Sequence, residues 1–190
     1  MGERGLLTMK NLSIRDIVLG GLFIALGIII PIAFHAIGAG PVFLPMHIPV
    51  LLAGFIVGPA IGCVVGALTP VLSSVLTGMP PLMPPKAQMM VVELGVYGLL
   101  SGFFYQTRKT HVVLSLIITM FGGRIVYGLL AAYILPLFGF SPVPVFYPIT
   151  AGLVTGIPGI VIQLVLIPCI VWLLEKQRKG KRPKSDMSPR

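Results

Sequence analysis

The sequence predicts an all-α integral membrane protein with six transmembrane helices and both chain ends in the cytoplasm. Of its 190 residues, 56% are hydrophobic and only 10% are charged, whereas soluble domains are about half apolar and a quarter charged. The mean hydropathy is +1.00, and a soluble fold could not bury so much apolar surface. Because one span needs about 20 apolar residues, this length accommodates about six spans with short connections.

The first half of the chain contains three predicted spans. The first runs from Ile14 to Phe34 and ends before a stretch rich in glycine and proline. The second and third, Ile48–Val57 and Ile61–Leu76, are separated by Gly58 and Pro59, a pair that breaks helices. We expect both of these spans to be short or tilted.

The second half contains the other three spans. Residues 78–86 include four prolines and form a loop, because proline lacks the amide donor that a helix needs. The fourth span follows at Gln88–Tyr105, the fifth ends near Leu135, and the sixth runs from about Ile157 to Glu175. We assign residues 1–13 to a cytoplasmic N-terminus, 14–175 to one membrane domain, and 176–190 to a disordered, basic cytoplasmic tail.

The distribution of positive charge predicts the orientation in the membrane. Twelve of the fourteen basic residues lie in three clusters: Arg4, Lys10 and Arg15; Arg108 and Lys109; and Lys176, Arg178, Lys179, Lys181, Arg182, Lys184 and Arg190. Cytoplasmic loops carry the lysine and arginine excess, and an even number of spans places all three clusters inside. The net charge of +9 therefore reflects topology, and we expect no nucleic-acid partner.

The loops after the first, third and fifth spans then face outward, and they are rich in proline and nearly uncharged. Two interpretations remain open for them. They lie in the lipid headgroup region as simple connectors, or they fold over a pocket as a lid.

Three polar side chains inside the last three spans are the first candidates for a ligand site: Glu93, Arg124 and Gln163. Charges at membrane depth are costly and normally face the bundle interior, where they pair or bind something. The planar arginine guanidinium donates several hydrogen bonds, and a carboxylate or amide can hydrogen-bond to polar groups on a small molecule. The alternative is a purely structural ion pair between Glu93 and Arg124.

Further candidates for ligand contact are His47, Tyr97 and Tyr127. Two histidines alone, His35 and His47, make a poor metal site, and we predict no metal. The two tyrosines could stack on a ring, although bilayer aromatics more often pack structurally. The sequence shows no constellation typical of a hydrolase, kinase or oxidoreductase, so we predict that the chain is not an enzyme.

Gly21 and Ala25 form a small-residue pair on the cytoplasmic half of the first span. Small residues at this spacing allow another helix to approach closely. Packing within the chain and docking of a partner explain the pair equally well.

Several of these features together resemble the substrate-binding S components of energy-coupling factor (ECF) vitamin importers. The similarity extends from Ile14 to Glu175 as a diffuse pattern of glycines, prolines and span number, carried by the segments 20–27, 49–59 and 62–70. The resemblance implies a six-helix S-component bundle in a prokaryotic plasma membrane, with a vitamin or vitamin precursor bound near the outer face.

The resemblance also implies partners. A transmembrane coupling protein would dock at Gly21 and Ala25, where the family commonly has two alanines, and two cytoplasmic ATPases would use ATP, so that the chain itself binds no cofactor. The buried arginine slightly favours an anionic or strongly hydrogen-bonding ligand such as pantothenate. Two other functions remain open: a stand-alone proton-coupled carrier that titrates Glu93, and a membrane scaffold that transports nothing.

Overall fold

The computed structural model describes residues 13–36, 38–141 and 144–180, and its regular structure in these ranges is entirely helical. Seven α-helices follow one another: α1 (Ile14–Ala36), α2 (Gly40–Phe43), α3 (His47–Ile56), α4 (Pro59–Thr77), α5 (Lys86–Gly102), α6 (Val112–Leu129) and α7 (Tyr147–Gly180). A π-helical turn, Phe103–Thr107, extends α5, and turns of π and 3-10 helix extend α6 to Phe138.

Five of the described helices are long and apolar enough to cross a membrane: α1, α4, the extended α5, the extended α6 and residues 154–177 of α7. This confirms the predicted all-helical membrane architecture. The remaining predicted span is α3, which has only ten residues and is therefore about 15 Å long, half the thickness of the hydrocarbon core. The six-span count and the orientation stay predictions.

Helix α3 is short because protein, rather than lipid, surrounds it. It contacts α1, α4, α5 and α7, and Val50, Leu51 and Ala53 are completely buried. Irregular backbone on either side of a short helix is tolerated at membrane depth only where protein or a polar cavity covers it. The core of the bundle is therefore built around α3.

Glycines end two of the helices at the positions predicted from the sequence. Helix α3 gives way to α4 through Gly58, whose φ of +129° is accessible to glycine and strained for other residues. Pro59 begins α4, at the first-turn position that suits proline. Gly78, with φ +73°, ends α4 before the proline-rich loop.

Helices α4 and α5 pack against each other through their backbones. A Cβ added to Gly98 would lie 1.9 Å from the carbonyl oxygen of Gly62, and one added to Gly66 would lie 2.0 Å from that of Leu94. Helix α5 is also the most central of the described spans. In its most apolar stretch of 18 residues 50% is buried, whereas the corresponding share is 22% for α1 and for α7. This interface fixes the position of the helix that carries Glu93 and Tyr97.

Helix α7 extends past the predicted sixth span at both ends. It begins at Tyr147, ten residues before Ile157, because Pro148 is compatible with the first turn of a helix. It continues to Gly180, so residues 176–180 are helical where the sequence predicted the start of a disordered tail. The rest of that predicted tail, 181–190, and residues 1–12 lie outside the described residues.

Candidate ligand-binding site

A buried ion pair joins α5 to α6. The Arg124 guanidinium, through Nη1, lies 3.4 Å from Oε1 of Glu93, and the two side chains are 14% and 4% exposed. The Tyr97 hydroxyl donates a hydrogen bond to the same carboxylate oxygen at 3.2 Å. Glu93 therefore binds both neighbours at once and fixes Arg124 and Tyr97 relative to each other.

A cavity of about 210 Å³ lies beside this pair, between α3, α5, α6 and α7. Its polar lining consists of His47, Tyr97, Arg124 and Gln163, each from a different helix. The described remainder of the wall is apolar and comprises Leu44, Ile117, Met120, Phe121, Ile160 and Leu164. Apolar walls with a few convergent polar groups are typical of small-molecule sites.

Two of the lining side chains have buried polar atoms without a hydrogen-bond partner in the described structure. They are Gln163, through both amide atoms, and His47, through both ring nitrogens. Gln163 is 1% exposed and His47 6%. Because buried polar groups in folded proteins are nearly always hydrogen-bonded, these atoms are exceptions that lie at the cavity wall.

Tyr97 forms the link between the cavity and the ion pair. Its ring lies 5.2 Å from the His47 ring, centroid to centroid. A Cβ added to Gly123 would lie 2.2 Å from the Tyr97 ring, so the glycine provides the space that the ring occupies. Tyr97 thus connects Glu93, which lies behind the cavity wall, to His47, which lines the cavity.

The loop between α1 and α3 closes one side of the cavity. Leu44 from this loop lines the cavity, and its backbone is left-handed, with φ +48° and ψ +50°. The preceding residue, Phe43, lies so close to α7 that a Cβ on Gly159 would be 2.6 Å from its carbonyl oxygen. This contact supports the lid interpretation for the first of the three loops.

The loop between α4 and α5 behaves differently. Its apolar side chains Leu82 and Met83 are exposed, and side chains at the adjoining helix ends bind its backbone: Ser73, for example, donates to the Met79 carbonyl at 2.7 Å. An exposed apolar loop with these local contacts fits the headgroup interpretation. The sequence alone did not distinguish the two loops.

Four of the predicted ligand residues come together at the cavity: His47, Tyr97, Arg124 and Gln163. Glu93 contacts two of them from behind the wall. Tyr127 is half-buried and is not among the residues that line the cavity. Contact of these side chains with a ligand stays a prediction.

The sequence interpretation missed the apolar half of the wall, although a signal for it existed. Ile117, Met120 and Phe121 lie seven, four and three residues before Arg124, and Ile160 and Leu164 lie three before and one after Gln163. Apart from Leu164, these separations place a residue on the same helical face as its polar anchor. Counting helical turns from the two polar residues would have found most of this wall.

The small residues of α1 fall on two different faces. Gly20 and Gly27 face the bundle, because added Cβ atoms would lie 3.1 Å from Ile61 and 2.5 Å from Thr69. A Cβ on Gly21 would meet nothing within 4 Å, and Ala25 is exposed. The predicted docking pair thus lies on the outer surface of the described bundle.

Comparison with known proteins identifies a family. The chain matches the family model described as "ECF transporter, substrate-specific component" over residues 15–171. No curated protein and no solved structure matches the sequence significantly. The family match covers more than half of the chain and confirms the resemblance seen in the sequence. The protein therefore belongs to the family of substrate-specific components of ECF transporters, which are substrate-binding transporter subunits and not enzymes.

Proposed function

We propose that this chain is the S component of an ECF importer and captures a vitamin or vitamin precursor at the outer face of a prokaryotic plasma membrane. The observation that carries the proposal is the cavity lined by Gln163 and His47, whose buried polar atoms lack partners in the described structure. Membership of a substrate-binding transporter family supports the same function.

The proposed topology has six spans, with α3 as the second and both chain ends inside. The basic clusters support it, and α3 then runs inward from His47, so that the cavity lies toward the outer side. Single cysteines at Lys86 and Lys109, labelled on intact cells, test the orientation. We expect labelling at residue 86 and protection at residue 109; the reverse pattern would place the cavity on the wrong side.

The proposed partners are a transmembrane coupling protein and two cytoplasmic ATPases. Gly21 and Ala25 lie on the face of α1 that points away from the helix bundle. This supports docking on α1, since small residues allow a second helix to approach closely. ATP is used by the ATPases, and the chain itself requires no bound cofactor.

Purification from cells that also produce the coupling protein and the ATPases tests the whole proposal. We expect the ATPases to co-purify, a small nutrient to be recovered by mass spectrometry of the extracted protein, and uptake of that nutrient to stop when the ATPases are inactivated. Uptake that survives inactive ATPases and collapses with the proton gradient would instead identify a proton-coupled carrier. Recovery of neither ATPase nor nutrient would favour a scaffold.

A further inference from the structure

The charge balance of the cavity restricts what it holds. Arg124 is the only arginine, lysine, aspartate or glutamate among its described lining residues, and the Glu93 carboxylate already lies 3.4 Å from the guanidinium. An anionic ligand would bring a second negative charge close to Glu93, where repulsion is strong because the surroundings have a low dielectric constant. A cationic ligand would face the guanidinium. The cavity therefore favours an uncharged compound.

The unpartnered polar atoms of the cavity define which hydrogen-bonding groups such a compound carries on the side that faces them. The side-chain amide of Gln163 offers an acceptor oxygen and a donor nitrogen side by side, and neither has a partner in the described structure. A ligand that pairs with both must carry a donor next to an acceptor. His47, in its neutral form, adds one further donor and one acceptor.

The size and walls of the cavity define the rest of the ligand. Its volume of about 210 Å³ is below the roughly 300–1,000 Å³ of pockets that hold drug-sized ligands. Met120, Phe121 and Ile160 present apolar surface to it. A compact, mostly apolar body of about one ring satisfies both conditions.

From these three observations we propose that the ligand is an uncharged single-ring compound with a donor–acceptor edge, such as a lactam or a primary carboxamide, and that Gln163 binds this edge. The inference rests on the proposed function, because it takes the cavity as the substrate site. Of the two ligand types that the sequence slightly favoured, anionic or strongly hydrogen-bonding, it keeps the second, because Glu93 lies 3.4 Å from Arg124 and compensates its charge.

The charge of the ligand is tested with two probes on one ring, nicotinamide and nicotinate. The full-length protein is purified into lipid nanodiscs, and its thermal unfolding is followed with each probe at millimolar concentration. We expect nicotinamide to raise the unfolding midpoint and nicotinate to leave it unchanged. Greater stabilisation by nicotinate would overturn the proposal.

The edge is tested with 2-pyridone and N-methyl-2-pyridone, because the methyl group replaces the ring N–H donor and leaves the carbonyl acceptor in place. We expect 2-pyridone to bind more tightly, and Gln163→Met to weaken its binding about tenfold, as the loss of hydrogen bonds to the amide implies. Gln177→Met is the matched control, since Gln177 is exposed on the same helix and should leave affinity unchanged. Equal binding of the two pyridones, or unchanged affinity in Gln163→Met, would contradict the assignment of Gln163.

Absence of binding by all four probes also overturns this inference. It does not decide the proposed function, which depends on co-purification. Co-purified ATPases together with a recovered anionic nutrient would leave the importer function standing while the uncharged ligand fails. Recovery of neither would reject the importer function itself.

Discussion

The α4–α5 interface and the α6–α7 region of the same bundle are packed differently. At α4–α5, glycines bring the two backbones together, and an added Cβ at Gly62 would lie 2.4 Å from the carbonyl oxygen of Gly98. At α6–α7, side chains such as Phe121 and Leu164 line a cavity. Closely packed interiors tolerate almost no added volume, whereas side chains beside a cavity can adjust to a ligand.

This difference assigns separate tasks to the two regions. The glycine interface holds α5 in place, and with it Glu93 and Tyr97, the fixed polar groups of the site. Helices α6 and α7 contribute Arg124, Gln163 and most of the apolar wall. Substitutions in the first region should therefore affect folding, and substitutions of uncharged side chains in the second should affect mainly binding.

The largest effect is expected for Gly98→Val. Its Cβ would lie 1.9 Å from the Gly62 carbonyl oxygen, and neither backbone can give way without separating the helices, so we expect no folded, monodisperse protein in size-exclusion chromatography. Gly21→Val is the matched control, because a Cβ there meets nothing within 4 Å. Normal folding of Gly98→Val would show that the α4–α5 interface is looser than described.

The ion pair should respond asymmetrically to single substitutions. Arg124→Met leaves the nearly buried Glu93 carboxylate uncompensated, which we expect to cost about 3–5 kcal/mol of unfolding free energy. Glu93→Gln should cost less, because Arg124 is 14% exposed and borders the cavity. Thermal unfolding measures both effects.

The double variant, Glu93→Gln with Arg124→Met, is the control for this pair. We expect it to recover most of the stability lost in Arg124→Met, because no charge is then left uncompensated. Two single variants as stable as the parent protein would mean that solvent, rather than the partner, balances each charge.

A smaller effect is expected for Gly159→Ala on α7. The added Cβ would lie 2.6 Å from the Phe43 carbonyl oxygen and should displace the loop that carries Leu44, at a cost of about 1 kcal/mol. We expect weaker binding of the retained nutrient, measured by titration, with Gly21→Ala as the control. Unchanged binding would separate this loop from the function of the cavity.

The smallest effect on stability is expected for Gly21→Leu combined with Ala25→Leu. Both positions face away from the described bundle, so the free energy of unfolding should change by less than about 0.5 kcal/mol. Nutrient uptake by the assembled transporter should nevertheless be lost while binding persists, because larger side chains keep a partner helix at a distance.

Gly20→Leu provides the contrast to that double variant. A Cβ at Gly20 already lies 3.1 Å from the Ile61 side chain, so this variant should unfold at a lower temperature. Equal stability losses at positions 20 and 21 would mean that both glycines pack internally, which would remove the argument for docking at Gly21.

Helix ends and polar candidates were predictable because their causes are local. A glycine–proline pair at residues 58 and 59 ends one helix and begins another wherever the helices lie. Arg124 stands in an apolar stretch, and the free-energy cost of a charge at membrane depth is enough to mark it as a candidate. The start of α7 was less predictable, since Pro148 is compatible both with a loop and with the first helical turn.

The sequence by itself therefore determined the membrane class, the family and four polar residues that line one cavity. Only the tertiary structure showed that Glu93 lies behind the cavity wall and that Tyr127 does not line the cavity. It also showed that Gly20 faces the bundle and Gly21 faces away from it. Each of these depends on how a helix is rotated about its own axis and which neighbour covers it. In the membrane, apolar side chains face both lipid and core, so hydropathy does not report that rotation, and contacts between helices decide it.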